Sequence, residues 1–266
     1  MQISSKDWQA YIDKLSKLSK KASELLRKYI EKYGTEDTDA LIEYANALIT
    51  RYGEGSAELT CQMYDAIAEM QNAMVPAAVP AQVATIDEVA KAVNGTKGSQ
   101  ATLEGAIERL VKLASADTMA QNIKRDNAKF AWVARGDTCP YCIMLSAIGW
   151  QDAGKLTMNG KHADHIHAHC DCAYVVDFRG NLDVEGYYPG DMSDEIARSM
   201  GYDPEDYEAE DLIRTIWNSK KGKEDYTEFN IFRRVQNAKN RDLINAQKRA
   251  AYAKRIEQNK GDFGIQ

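Results

Sequence analysis

Four of the five cysteines and all four histidines of this 266-residue chain fall between Cys139 and Cys172. Cys139-Pro140-Tyr141-Cys142 comes first. About twenty-five residues later comes His162-Ala-Asp-His165-Ile-His167-Ala-His169-Cys170-Asp-Cys172. Thiolates and neutral imidazoles are the ligands of tetrahedral zinc, and structural sites use four of them. A C-x2-C turn lets two thiolates converge on one ion. His167 and Cys170 have turn-like spacing and could supply the second pair. Cys170 and Cys172 are two apart, so in a strand they face opposite sides, and one of them would be the ligand. Thiolate ligands favour zinc or iron–sulfur over magnesium or calcium, and the adjacent histidines favour zinc.

Other chemistries fit less well. No signal peptide is apparent, so a reducing compartment is expected and structural disulfides are not. Cys-Pro-Tyr-Cys alone is a glutaredoxin-type tetrapeptide, but that site needs a βαβ context. A strand is expected at 130–133 and a short helix at 143–148, with no β/α alternation afterwards. Zinc deaminases carry H-x-E ahead of P-C-x-x-C, and here no histidine precedes Cys139. There is no H-E-x-x-H, no Gly-rich phosphate loop and no visible nucleophile–base pair, so the chain is read as not an enzyme. A metal-dependent nuclease or toxin-type effector stands as the alternative, beside a zinc-knuckle nucleic-acid-binding protein.

The run Trp132-Val-Ala-Arg-Gly-Asp-Thr-Cys139-Pro-Tyr-Cys142-Ile-Met-Leu-Ser-Ala-Ile-Gly149-Trp, followed by His167-Ala-His169-Cys170-Asp-Cys172, resembles the signature of tailed-phage minor head proteins. These are the Mu F-like head-morphogenesis family and related minor capsid proteins. The resemblance covers about fifty residues. It places Cys139, Cys142, His167, Cys170 and Cys172 on the family's Cys/His positions. It implies a structural protein inside the virion head, near the portal, present in the host cytoplasm during assembly. Portal and major capsid proteins are its implied partners, and no small-molecule substrate is implied. His162 and His165 lie outside the pattern and are the first candidates for any hidden catalytic role.

The flanking elements must hold that cluster. Apolar residues from Trp8 to Tyr33 recur at three- and four-residue steps, giving a helix over 6–33 with Ser4 or Ser5 as cap and Gly34 as stop. A second helix is expected over 38–52, stopped by Gly53, and a third over 56–74. Cys61 lies apart from the cluster and reads as a small apolar residue. Pro76 and Pro80 mark a stiff connector. Helical patterns resume at 86–93 and again through Leu103 to Ala114, and Asp117 is placed as the cap of one more helix. Asn159-Gly160 signals a hairpin. Residues 172–178 form the best strand.

The fold expected is mainly α. A helical region (1–128) precedes a small α+β zinc-binding module (129–182), followed by a helical, partly flexible C-terminal region (183–266). From 183 to 211 there are eleven acids and one base, read as solvated surface or loop. From 232 to 260 there are nine Lys or Arg and two acids, a tail suited to packaged DNA or another acidic partner. The chain as a whole is mildly acidic, with 34 basic and 40 acidic side chains. That gives no whole-chain case for nucleic-acid binding. No apolar run approaches a membrane span, so no membrane contact is expected.

Overall fold

The computed structural model describes residues 1–134, 146, 149–156, 158–159, 162–163, 166, 168 and 172–189. The fold is mainly helical. Met1–Tyr188 close up as one compact unit. The expected helix at 143–148 (Ser146 apart), the acidic stretch beyond 189 and the basic 232–260 tail lie outside the described residues.

Four helices carry the frame: α1 (Ser5–Tyr33), α2 (Thr38–Met70), α3 (Ile86–Gly95) and α4 (Gln100–Asp126). The side chain of Ser4 caps α1 by accepting from Asp7 N, and Gly34 ends it at φ 77°. That positive φ is a conformation only glycine adopts without strain. Trp8, Ile12, Leu15, Ala22, Leu26 and Ile30 form the buried stripe of α1, as the periodicity predicts. Helices α1, α2 and α4 pack on one another. The middle helix is α4, buried on faces all round, including at Glu108, Asp117 and Asn122.

Two expectations are corrected here. The helices expected at 38–52 and 56–74 are one, and α2 runs unbroken through Gly53 to Met70. Gly53 is a contact rather than a stop. A Cβ there would lie 3.0 Å from Val83 Cγ1 and 3.5 Å from Ala114 Cβ, so the missing side chain lets the connector approach. Likewise Asp117 caps nothing. It sits inside α4, 3% exposed, because an Ala-rich sequence without proline continues the helix past it.

The proline connector crosses α2 and α4 without regular secondary structure, and side chains of those helices accept from its backbone. Ala78 N donates to Asp65, Val79 N to Asn122 and Ala81 N to Thr118, at 2.8–3.0 Å. A polar relay joins the three long helices: Tyr11 Oη to Thr60 Oγ1 at 3.0 Å, and Thr60 to Ser115 Oγ at 2.7 Å. Buried polar groups need such partners, since an unpaired one costs on the order of 1–3 kcal/mol.

After α4 the chain turns at Asn127, in the left-handed region, and enters β2 (Lys129–Ala134). Its antiparallel partner is β6 (Cys172–Asp177), registered from Lys129↔Asp177 to Ala134↔Cys172, and β3 (Gln151–Asp152) lies on the other edge of β2. The strands at 130–133 and 172–178 are thus as expected. Trp132 packs edge-on against Tyr174 at 4.3 Å, and Phe130 does so at 5.8 Å. The hairpin predicted at Asn159-Gly160 appears as β4 (Met158–Asn159) paired with β5 (His162–Ala163).

One pairing has no sequence warning. β1 (Gln2–Ile3) lies parallel to β7 (Asp183–Val184). There Gln2 donates to Asp183 at 2.8 Å, and Glu185 accepts from Ser5 N at 2.7 Å at the start of α1. These two members of the acidic stretch are structural partners. A carboxylate at a helix N-terminus is also favoured by the helix dipole.

Candidate functional site

Of the five candidate ligands, Cys172 is described, while Cys139, Cys142, His167 and Cys170 lie outside the described residues. Cys172 is half-buried and opens β6, opposite Ala134 at the end of β2. That register sets the reach of the others. Cys139 follows Ala134 by five positions, and His167 and Cys170 precede Cys172 by five and two. At ~3.5 Å per residue, each is leashed within roughly 18 Å of the same end of one sheet. Both halves of the cluster therefore leave from one place, as a shared metal requires. Among the described residues no group of three or more His, Cys, Asp or Glu side chains forms a metal site.

The sheet end is firmly held. Ser146 Oγ donates to Trp132 O at 2.6 Å, and Tyr187 Oη donates to Ser146 O at 2.8 Å. Arg109 of α4 donates to Ile166 O at 3.0 Å. At the opposite end of β6 the buried carboxylate of Asp177 accepts from Gln71 Nε2 and from the backbone N–H groups of Arg179, Gly180 and Leu182, at 2.8–3.1 Å. Burial alone would raise its pKa, but these donors outweigh it and hold the carboxyl below the usual aspartate range.

Beside Cys172 a cavity opens between α1, α2, α4 and the sheet, with about 40 Å³ open to water centres. Ser16, Ser56 and Trp132 line it, and Ser16 Oγ, Ser56 Oγ and Trp132 Nε1 have no hydrogen-bond partner among the described residues. A space of that size has room for a water molecule.

His162 has a role that its sequence position does not announce. Its Nδ1 lies 2.6 Å from Asp117 Oδ2 on α4, and its Nε2 lies 2.9 Å from Glu88 Oε1 on α3. The other Asp117 oxygen accepts from Ala163 N. Glu88 also closes a capping box with Thr85 at the start of α3. Burial would lower the pKa of His162, but the two carboxylates outweigh it and raise it, favouring the imidazolium. Glu88 is pulled down to about 2, first by its hydrogen bond to His162. For Asp117 burial dominates and raises the pKa, with His162 and Ala163 N pulling the other way. An imidazolium held on both nitrogens has no lone pair to offer a substrate proton or a metal. The arrangement fits a clamp that fastens the β4–β5 hairpin to two helices. Sequence reasoning missed Glu88 and Asp117 as its partners. The pattern Thr85-x-x-Glu88 was the available signal for one of them.

No curated protein matches the chain, and no solved structure does. The family model described as VG15 protein matches residues 2–199, which is 198 of the 266 positions, spanning all four helices, the sheet and every candidate ligand. The chain belongs to that family, a viral or phage gene-product family, which points to a phage-encoded protein.

Proposed function

We propose that this chain is a structural minor head protein of a tailed phage or prophage, acting in head morphogenesis near the portal. The family match over residues 2–199 carries this reading, because it takes in the helices and the Cys/His positions together. In this reading the portal and major capsid proteins are the neighbours. The basic 232–260 segment meets packaged DNA through salt-sensitive, sequence-blind contacts. The test is proteomics of purified proheads and virions, with cross-linking to find the neighbours. Recovery of the chain in heads, cross-linked to portal or capsid protein, is expected. Its absence from both particles overturns the assignment.

One zinc per chain belongs to the same proposal, held by Cys139 and Cys142 with two of His167, Cys170 and Cys172. The donor set suits zinc. The register of Ala134 with Cys172 supports it, since both ligand pairs start from one sheet end. A mostly thiolate set suits a closed site that supplies folding free energy rather than chemistry. The doubly held His162 favours the same non-catalytic reading over a hydrolase. Elemental analysis should give one zinc per chain. A zinc-free protein with all four clustered cysteines titratable refutes the site.

A further inference from the structure

The groove between α1 and α2 has features that the packing of the described residues does not use. Lys14, Lys17 and Lys21 of α1 line one side, at helical spacing and about 10 Å from first to last. Lys14 and Lys17 have no ion-pair partner among the described residues, and Lys21 pairs with Glu24 at 2.9 Å. The floor is Leu18, Tyr52, Gly55 and Leu59, all half-buried. On the far side Glu58 is engaged by Gln62 at 3.1 Å. The lining thus carries three lysines against one glutamate, on a chain whose net charge is −6.

Gly55 is the informative residue. Glycine inside a helix costs roughly as much stability as a cap supplies, so a helical glycine needs a reason. Gly53, two positions earlier, has one in Val83. Gly55 has none among the described residues. A Cβ there would lie 3.7 Å from Leu18 Cδ2, an ordinary contact. What the missing side chain does is keep the groove floor low beside exposed lysines.

We propose that the α1–α2 groove docks an acidic amphipathic helix of a partner protein. Its small apolar face lies over Gly55 between Leu18 and Leu59, and its carboxylates face Lys14, Lys17 and Lys21. Charge complementarity selects the sign of the partner. The apolar floor selects a helix face over a phosphate backbone, which would have no use for Leu18 and Leu59. The inference stands on the helical face alone and does not depend on the zinc or head assignments.

The probe is a labelled synthetic peptide of about twenty residues with Glu on one helical face and Ala and Leu on the other, near three turns per ten residues. A scrambled peptide of the same composition and a labelled DNA duplex are the comparisons. Fluorescence anisotropy with the full chain at low salt should show binding of the patterned peptide over the scrambled one. Combined Lys14→Glu, Lys17→Glu and Lys21→Glu should weaken it by roughly tenfold or more, as expected for three rim charges. Gly55→Leu should abolish binding while leaving the melting temperature unchanged or raised. That outcome separates a blocked groove from a damaged fold, and the lysine variant tests the idea even where Gly55→Leu fails to fold. Equal binding of both peptides, tighter binding of DNA, self-association lost in the lysine variant, or no binding at all each overturns the proposal.

Discussion

Replacing His162 with alanine should cost about 3 kcal/mol of stability. The figure follows from what the ring leaves behind. Asp117 is 3% exposed, and after the substitution Ala163 N is its one remaining donor among the described residues. Removing one member of a buried ion pair costs about 3–5 kcal/mol. Protonation of Asp117, whose pKa burial already raises, relieves part of that cost. The Glu88 side is more open to solvent and adds at most about 1 kcal/mol. The assay is urea unfolding of the full chain, followed by far-UV circular dichroism and tryptophan fluorescence. A double-mutant cycle with Asp117→Asn isolates the pair and should give a coupling of about 1–3 kcal/mol. The pH dependence has a definite sign. The folded pKa of His162 is raised, so its contribution is complete below the unfolded value of about 6.5 and fades as pH rises through the folded value. A loss under about 0.5 kcal/mol, or a coupling unchanged from pH 6 to 9, refutes the clamp.

Asp177 behaves in the opposite sense. Its pKa is lowered in the fold, so its contribution is present above about pH 4 and lost on acidification, and Asp177→Asn should flatten the acid limb of a stability–pH curve. Gly53→Ala should lack the gain of up to about 1 kcal/mol that alanine normally brings to a helix, because its Cβ meets Val83 Cγ1 at 3.0 Å; a matched rise in melting temperature would show that the connector yields freely. Ser56→Ala tests the cavity beside Cys172. Removing a hydroxyl with no partner among the described residues should leave stability in chemical denaturation unchanged or raised, and a loss of about 1 kcal/mol would show that the hydroxyl is satisfied. Chelation of the proposed zinc, or Cys142→Ser, should open the chain around Cys139–Cys142 and His167–Cys170 to protease while the far-UV helical signal holds, and a global loss of helix would contradict it.

The elements that were legible are those whose signals are local. The apolar stripe of α1, its Ser4 cap and its Gly34 stop lie within one stretch of chain. The β2 and β6 strands were readable from runs of aromatic and β-branched residues. Gly53 and Asp117 misled because each residue type has two uses. Glycine ends a helix or permits a close approach, and aspartate caps a helix or accepts inside a core. The deciding partners, Val83 and the His162–Ala163 pair, lie 30 and 45 or 46 residues away in sequence. No local window contains them. The β1–β7 pairing is harder still, since two-residue strands 181 positions apart carry no periodicity at all.

The same distant contacts bear on what holds the Cys/His region. Its sheet is too small to fold alone, which by itself would call for a metal. Yet the chain passes from α4 directly into β2, and ties run back at several points. Asp177 binds Gln71 at the end of α2, Arg109 binds Ile166, His162 joins α3 and α4, and β7 pairs with the first residues of the chain. The helices therefore supply the support for β2, β5 and β6. The proposed zinc would link the two Cys/His stretches, which leave the sheet from Ala134 and Cys172, residues that its register already brings together. A metal in that position would have a small closing task, because closing a loop whose ends are fixed costs far less entropy than closing one in a free chain.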